Sequence, residues 1–343
     1  MPSPVRMGCP GHAGRAGLTR RRLLAAAALA PVLPGMSGAP PASAQATQAA
    51  ELAQPARPVQ GGSTLRGPAG SGIRWAPVGL GTWRTFDVAA DDWPEKERRR
   101  EVLRRFFAAG GGMVDSSPMY GRAEALLGEL LPTLPGPPGA RERLVAATKV
   151  WTPLDALGAL GASQVEHSFK LWGLPRFDVL LVHNLLNVQG HLKLLRRLKD
   201  EGRVGRIGIS TSHGRAHDEV MALLRREPLD VLQITYNLAD TRAEPVLALA
   251  AERGVAVVIN RPFDGGALFG RVAGQAVPPW AREAGIEDWP AFFLKWILAH
   301  PAITCAIPAT RQPAHLDANM AAGRGPLPDA ALRRRMLAAR VEW

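Results

Sequence analysis

From residue 76 almost to the end of the chain, short apolar runs alternate with longer amphipathic stretches. Eight runs, at 77–82, 112–116, 144–150, 178–183, 205–210, 229–236, 255–260 and 304–308, are brief and rich in Val, Ile and Leu. Continuous apolar character over so few residues predicts strands covered on both faces, as in a parallel sheet. Between them, helical periodicity runs through 95–109, 121–131, 160–172, 188–201, 214–226, 242–253 and 289–299. In the first of these, Val102, Leu103, Phe106 and Phe107 make one face. Arg98, Arg99, Arg104 and Arg105 share that helix, giving a solvated face rather than a basic binding patch. Eight strands alternating with helices predict an α/β fold of the (β/α)8 TIM barrel type over residues 73–343. A doubly wound sheet alternates in the same way. However, no Gly-x-Gly-x-x-Gly lies between the first strand and helix, so the dinucleotide fingerprint of that fold is missing. A Pro-bounded, Arg-rich stretch at 328–340 predicts an additional C-terminal helix outside the barrel.

The chain ahead of residue 73 has a different texture. Thr19-Arg20-Arg21-Arg22 leads into a short apolar run ending near Pro34, followed by Ala42-Ser43-Ala44. A basic start, a weakly apolar core and an Ala-x-Ala site predict an export signal over 1–44, cleaved after Ala44. The run is too short to span a bilayer. Arginines paired after Thr are of the twin-arginine type, whose export machinery carries folded cargo. A periplasmic or otherwise exported protein is expected. Residues 45–72, rich in Ala, Pro, Gly and Gln, read as a flexible linker.

Composition adds limits. At 343 residues, 46% of them apolar and 21% charged, the chain has the make-up of an ordinary globular protein. The formal charge is +12, but Arg6, Arg15, Arg20, Arg21 and Arg22 fall before residue 45, where there is no Asp or Glu, leaving +7 beyond it. No basic stretch is interleaved with aromatics, so nucleic acid is not an expected partner. Of the two cysteines, Cys9 lies in the leader, which leaves Cys305 alone and no internal disulfide or Cys-rich metal site. The histidines show no metal-ligand spacing around His183, and no metal is expected.

The candidate chemistry lies at strand ends. Asp115 and Tyr120 follow the 112–116 strand, Lys149 closes 144–150, and His183 closes 178–183. In a parallel barrel these ends surround one mouth, which predicts a shared pocket. Taken singly, Asp115 suits a turn cap and Tyr120 a core aromatic. A Lys ending a buried strand needs a carboxylate partner, and Asp115 is one strand away. The cation is expected to lower the Tyr120 pKa.

These motifs resemble those of the aldo-keto reductases over about residues 73–325. The resemblance rests on Val78-Gly79-Leu80-Gly81-Thr82-Trp83, Val114-Asp115-Ser116-Ser117-Pro118-Met119-Tyr120-Gly121, Thr148-Lys149 and Leu181-Val182-His183-Asn184. It continues in Gly205-Arg206-Ile207-Gly208-Ile209-Ser210, Leu232-Gln233-Ile234-Thr235-Tyr236-Asn237 and Ile307-Pro308-Ala309-Thr310-Arg311. By that resemblance Tyr120 is the general acid of a carbonyl reduction, Lys149 tunes it, Asp115 orients Lys149, and His183 polarises the carbonyl. The cofactor implied is NADP(H) in preference to NAD(H). It would contact Gly81, Thr82, Asp115, Ser210, Gln233, Asn260, Arg261, Phe263, Thr310, Arg311 and Asn319. Asn260 stands where an aromatic residue often stacks on the nicotinamide, and His315 where an Arg is frequent. Trp83, Met119, Trp151 and Asn184 are expected to line the pocket for a small carbonyl substrate. A monomer is expected. The alternative reading is a non-catalytic, cofactor-binding relative acting as a regulatory or interaction subunit.

Overall fold

The structure is a computed structural model that describes residues 64–134, 143–153 and 159–340. The export signal and most of the expected linker lie outside these residues. The strands are β1 (Leu80–Gly81), β2 (Met113–Asp115), β3 (Val145–Val150), β4 (Phe177–His183), β5 (Val204–Ser210), β6 (Val231–Thr235), β7 (Ala256–Asn260) and β8 (Ile303–Ala306). They pair in sequence order, all parallel. Parallel bridges from Val78 to Ala306 and from Gly81 to Ala309 join the last strand to the first. This is the expected (β/α)8 barrel.

The helices run α1 (Trp93–Ala108), α2 (Ala123–Leu130), α3 (Ala159–Trp172), α4 (Val188–Asp200), α5 (His217–Arg226) and α6 (Glu244–Glu252). They continue with α7 (Ala267–Arg271), α8 (Pro279–Glu283), α9 (Trp289–Leu298), α10 (Pro313–Ala322) and α11 (Ala330–Ala339). Helix α11 is the predicted C-terminal addition. Arg333 docks it, donating Nε to the Trp296 carbonyl at 3.2 Å while the Trp296 indole donates to the Arg333 carbonyl at 3.1 Å.

Side chains alternate along each strand, and this sorts the core into two layers. On β4, Leu180 and Val182 face the helices in the outer core, where Phe177 at the strand's start also packs. Val179 and Leu181 face the barrel interior, with Met113, Ala147, Val231, Val258 and Cys305. The interior also holds Ile73 and Trp75. Trp75 and Arg66 exchange backbone hydrogen bonds of 2.8 and 2.9 Å in an antiparallel bridge, and Arg66 donates Nη1 to the Leu298 carbonyl at 2.8 Å. The segment from residue 66 onward, which includes the last residues of the expected linker, thus bonds and packs at the barrel floor.

Candidate active site

The inward-facing register that builds the apolar interior ends in polar residues at the mouth. Two positions beyond Met113 comes Asp115, two beyond Ala147 comes Lys149, and two beyond Leu181 comes His183. Ser210 lies opposite His183 in the ladder, and Gln233 opposite Ser210. Strand geometry therefore brings together side chains that are far apart in sequence.

Lys149 is fully buried. Its ammonium donates to Asp115 Oδ1 at 2.8 Å, to Asp115 Oδ2 at 2.7 Å and to the Ser116 carbonyl at 2.7 Å. A buried ammonium persists only with such neutralisation. Burial pulls the Lys149 pKa down, but the charges of Asp115 and then Tyr120 more than restore it, leaving it above the ordinary value. Gln233 donates Nε2 to Asp115 Oδ1 at 2.8 Å and accepts from Ser210 Oγ at 2.9 Å. Asp115 is thus tied to both a lysine and an amide.

Tyr120 is held in the turn after β2, its N–H donating to the Ser117 carbonyl at 3.0 Å. Its ring centroid lies 5.2 Å from Lys149 Nζ and meets the His183 ring edge-on at 6.1 Å. The structure corrects one expectation here. Burial drives the Tyr120 pKa up, the Lys149 charge opposes it, and the net direction is above 10, not below. The cation acts as foreseen but is outweighed by the cost of burying an anion there.

His183 is pushed down to about 3, by burial first and the Lys149 charge second, so its imidazole is neutral. Its Nδ1 lies 3.2 Å from Ser117 Oγ, which also accepts the Met119 N–H at 3.3 Å. A Ser117 hydroxyl that donates to Nδ1 would leave the imidazole proton on Nε2, available as a donor.

A cavity of about 390 Å³ opens above these groups. Gly81, Thr82, Ser210, Gln233, Asn260, Arg261 and Phe263 of the expected cofactor set line it with Asp115, Tyr120 and His183. So do Trp83, Met119 and Asn184 of the expected substrate set. Thr310 and Asn319 line an adjoining cavity of about 710 Å³, which shares Phe263, Phe269 and Ala309 with the first. Two expected residues stand apart. Arg311 is exposed and lines neither cavity. Trp151 is also outside both: Gln164 clamps its backbone, accepting its N–H at 2.7 Å and donating to its carbonyl at 3.0 Å.

Asn260 serves as a brace, donating Nδ2 to the Thr211 carbonyl at 2.8 Å and accepting from Thr235 Oγ1 at 2.6 Å. The loop after it is strained and open. Arg261 and Asp264 have φ of 48° and 50° and pair at 2.9 Å. Gly265 and Gly266, at φ 67° and 101°, allow the left-handed turn that brings backbone to the cavity wall. Arg261 Nε is buried with no hydrogen-bond partner. Sequence reasoning missed Arg84, Ser212, His213, Arg215 and Phe269, which also line the cavity. Arg84, Ser212, His213 and Arg215 sit on loops, where no ladder fixes direction, and Phe269 sits on the short helix α7; the one basic residue beside Trp83, Arg84, was the available signal. The Arg84 guanidinium lies 4.3 Å from the Trp83 ring centroid and that of Arg261 5.5 Å.

A family model described as the Aldo/keto reductase family matches residues 77–334. The chain belongs to the aldo/keto reductase family. It is an oxidoreductase of a family that acts on small carbonyl compounds. An uncharacterized oxidoreductase of Schizosaccharomyces pombe is 25% identical over 264 residues, 71% of this chain and 80% of that protein. A 6-dehydroglucose reductase of Novosphingobium aromaticivorans is 25% identical over 284 residues, 72% of this chain and 86% of that protein. Among solved structures, an aldo/keto reductase from Klebsiella pneumoniae in complex with NADP and acetate superposes with a TM-score of 0.66 at 22% identity. That match covers 82% of this chain and 95% of the other. A putative aldo-keto reductase from Pseudomonas aeruginosa gives 0.58 at 25% identity over 76% and 96%. These aldo/keto reductases share the barrel described above.

Proposed function

We propose that this aldo/keto reductase uses NADP(H), rather than NAD(H), to reduce a small aldehyde or ketone, with Tyr120 as the general acid. The observation that carries the reading is the buried Lys149–Asp115 pair beneath Tyr120 and a neutral His183 in one cavity. NADP(H), when bound, supplies the hydride. The residues present fit it: the Ser210–Gln233–Asp115 chain offers amide and hydroxyl groups to a carboxamide. Arg261 Nε is a buried donor awaiting an acceptor, beside a glycine turn that lets an anionic backbone approach. The Klebsiella pneumoniae relatives solved with NADP and with NADPH support this choice of cofactor. The Novosphingobium relative's name supports a sugar-like carbonyl.

The chain's own residues divide the work. His183 Nε2–H donates to the carbonyl oxygen and fixes its direction. The Tyr120 phenol releases its proton to that oxygen as negative charge develops there. Lys149 stabilises the phenolate left behind, and Asp115 keeps Lys149 charged and in place. Proton donation of this kind contributes on the order of 10²–10⁴-fold. Tyr120→Phe should lower kcat/KM for NADPH-dependent reduction of a simple aldehyde by on the order of 10²–10⁴-fold while NADPH still quenches protein fluorescence. Full activity in Tyr120→Phe would remove the acid from this assignment. NADPH binding by the wild type without turnover of any carbonyl would favour a non-catalytic subunit.

Export of the folded, monomeric enzyme through the twin-arginine machinery is part of the same proposal, with residues 1–44 as its signal. The exported protein should begin at Gln45 on N-terminal sequencing. A chain kept in the cytoplasm with residue 1 intact would refute export.

A further inference from the structure

We infer that the rim of the cavity is built to hold an anionic group on the substrate, so that the carbonyl compound reduced here also carries a carboxylate. The inference rests on the reductase reading above and narrows its substrate class.

Charge is strongly one-sided around the cavity. Its lining includes Arg84, Arg215 and Arg261, with His213 among them. Asp115 is the sole acid among the described lining residues, and Lys149 already neutralises it at 2.7 Å. The nearby acids behind the wall are also engaged: Asp264 pairs with Arg261 at 2.9 Å and Asp240 with Arg242 at 2.7 Å. His213 reports the resulting potential. Burial first, then the charges of Arg261 and Arg215, with Asp264 opposing and Arg84 adding, lowers its proton affinity below that of an ordinary histidine.

The three guanidinium groups are not equivalent. Arg84 and Arg261 both close on Trp83, beside the glycine turn proposed to receive the dinucleotide. Arg215 stands on the loop after β5. Its Nε donates to the Ser212 carbonyl at 3.1 Å, and among the described residues it has no carboxylate partner. Ser212 in turn donates Oγ to Asn184 Oδ1 at 3.3 Å, and Asn184 directly follows His183. Arg215 is therefore tethered to the strand ends that carry the carbonyl-polarising imidazole. Its remaining N–H groups form a planar fork suited to a carboxylate. An anion held there would share the cavity with Tyr120 and His183, and its attraction would also draw the substrate to the mouth.

The test compares 4-carboxybenzaldehyde with its neutral ester, methyl 4-formylbenzoate, using NADPH with the wild type, Arg215→Ala and Arg215→Lys. In the wild type, kcat/KM for the carboxylate should exceed that for the ester by at least about tenfold, the scale of a charge-assisted hydrogen bond. The ratio should fall toward one in Arg215→Ala, recover partly in Arg215→Lys, and shrink as salt is added. A wild-type ratio of one or below overturns the inference. So does a ratio unchanged in Arg215→Ala, above all if KM for NADPH rises instead, since the guanidinium then serves the dinucleotide. If the wild type reduces neither aldehyde, the reductase reading fails, and calorimetric titration with 4-carboxybenzaldehyde decides the anion site alone. Binding that is weakened in Arg215→Ala retains it; absent or equal binding removes it.

Discussion

Tyr120 holds its proton tightly: burial outweighs Lys149, so the phenol lies above 10 and stays protonated at neutral pH, as the proposed acid needs. In the proposed reaction Lys149 would act on the far side of the proton transfer, where it would meet a phenolate rather than a phenol. His183, at about 3, stays neutral through the physiological range. The two directions combine into one expectation: kcat/KM for carbonyl reduction should be flat from about pH 5 to 9, since neither group titrates there. An inflection near 6.5 in the pH profile would mean that His183 does take up a proton, and the neutral-donor role would fall. Asp115, Lys149 and His183 were legible in the sequence because each ends an apolar strand, where the two-residue alternation fixes which way a side chain points. Arg84 and Arg215 were not, because their loops have no partner strand. Trp151 shows the limit from the other side: it follows Lys149 directly, yet lies outside the cavity while Gln164 holds its backbone.

The elements around the site are pinned by a carboxylate that the chemistry does not use. Glu124, on α2, is buried and accepts hydrogen bonds from Thr148 Oγ1 at 2.5 Å, Ser168 Oγ at 2.9 Å and Trp172 Nε1 at 3.1 Å. It joins α2 and α3 to β3 one residue before Lys149. The helices also meet closely, since a Cβ on Gly128 would lie 1.8 Å from the Leu171 carbonyl. Glu124→Ala should cost about 3 kcal/mol in urea denaturation, because three buried donors lose their acceptor. Glu124→Gln, which keeps an acceptor oxygen, should lose less. A change below about 1 kcal/mol in Glu124→Ala would show that packing alone holds this junction. Most element positions were readable from periodicity, as with 188–201 against the observed Val188–Asp200. Helix α10 was not, since His315, Asp317 and Asn319 interrupt any apolar stripe. The first strand was overestimated at 77–82. Only Leu80–Gly81 forms a ladder with β2; Pro77 and Gly79 hydrogen-bond on the other side to Ala306 of β8, in an isolated bridge.

Taken as one body, the barrel has a dry, apolar interior and a polar, cationic mouth. Its architecture was the most legible property of the chain, because eight repeats of one pattern leave few alternatives. The floor was hidden, since 64–75 contains no periodic segment and its position is set by long-range packing of Ile73 and Trp75 against the barrel interior. That floor gives the molecule a direction. The described chain starts at the end where Ile73 and Trp75 pack with Met113, Val179 and Val231, whereas Tyr120, His183 and Arg215 occupy the opposite rim. A fusion partner or solid support joined ahead of residue 64 would take hold of the closed end. An array of such molecules on a surface would then face its reactive ends outward, with no spacer needed to keep them clear.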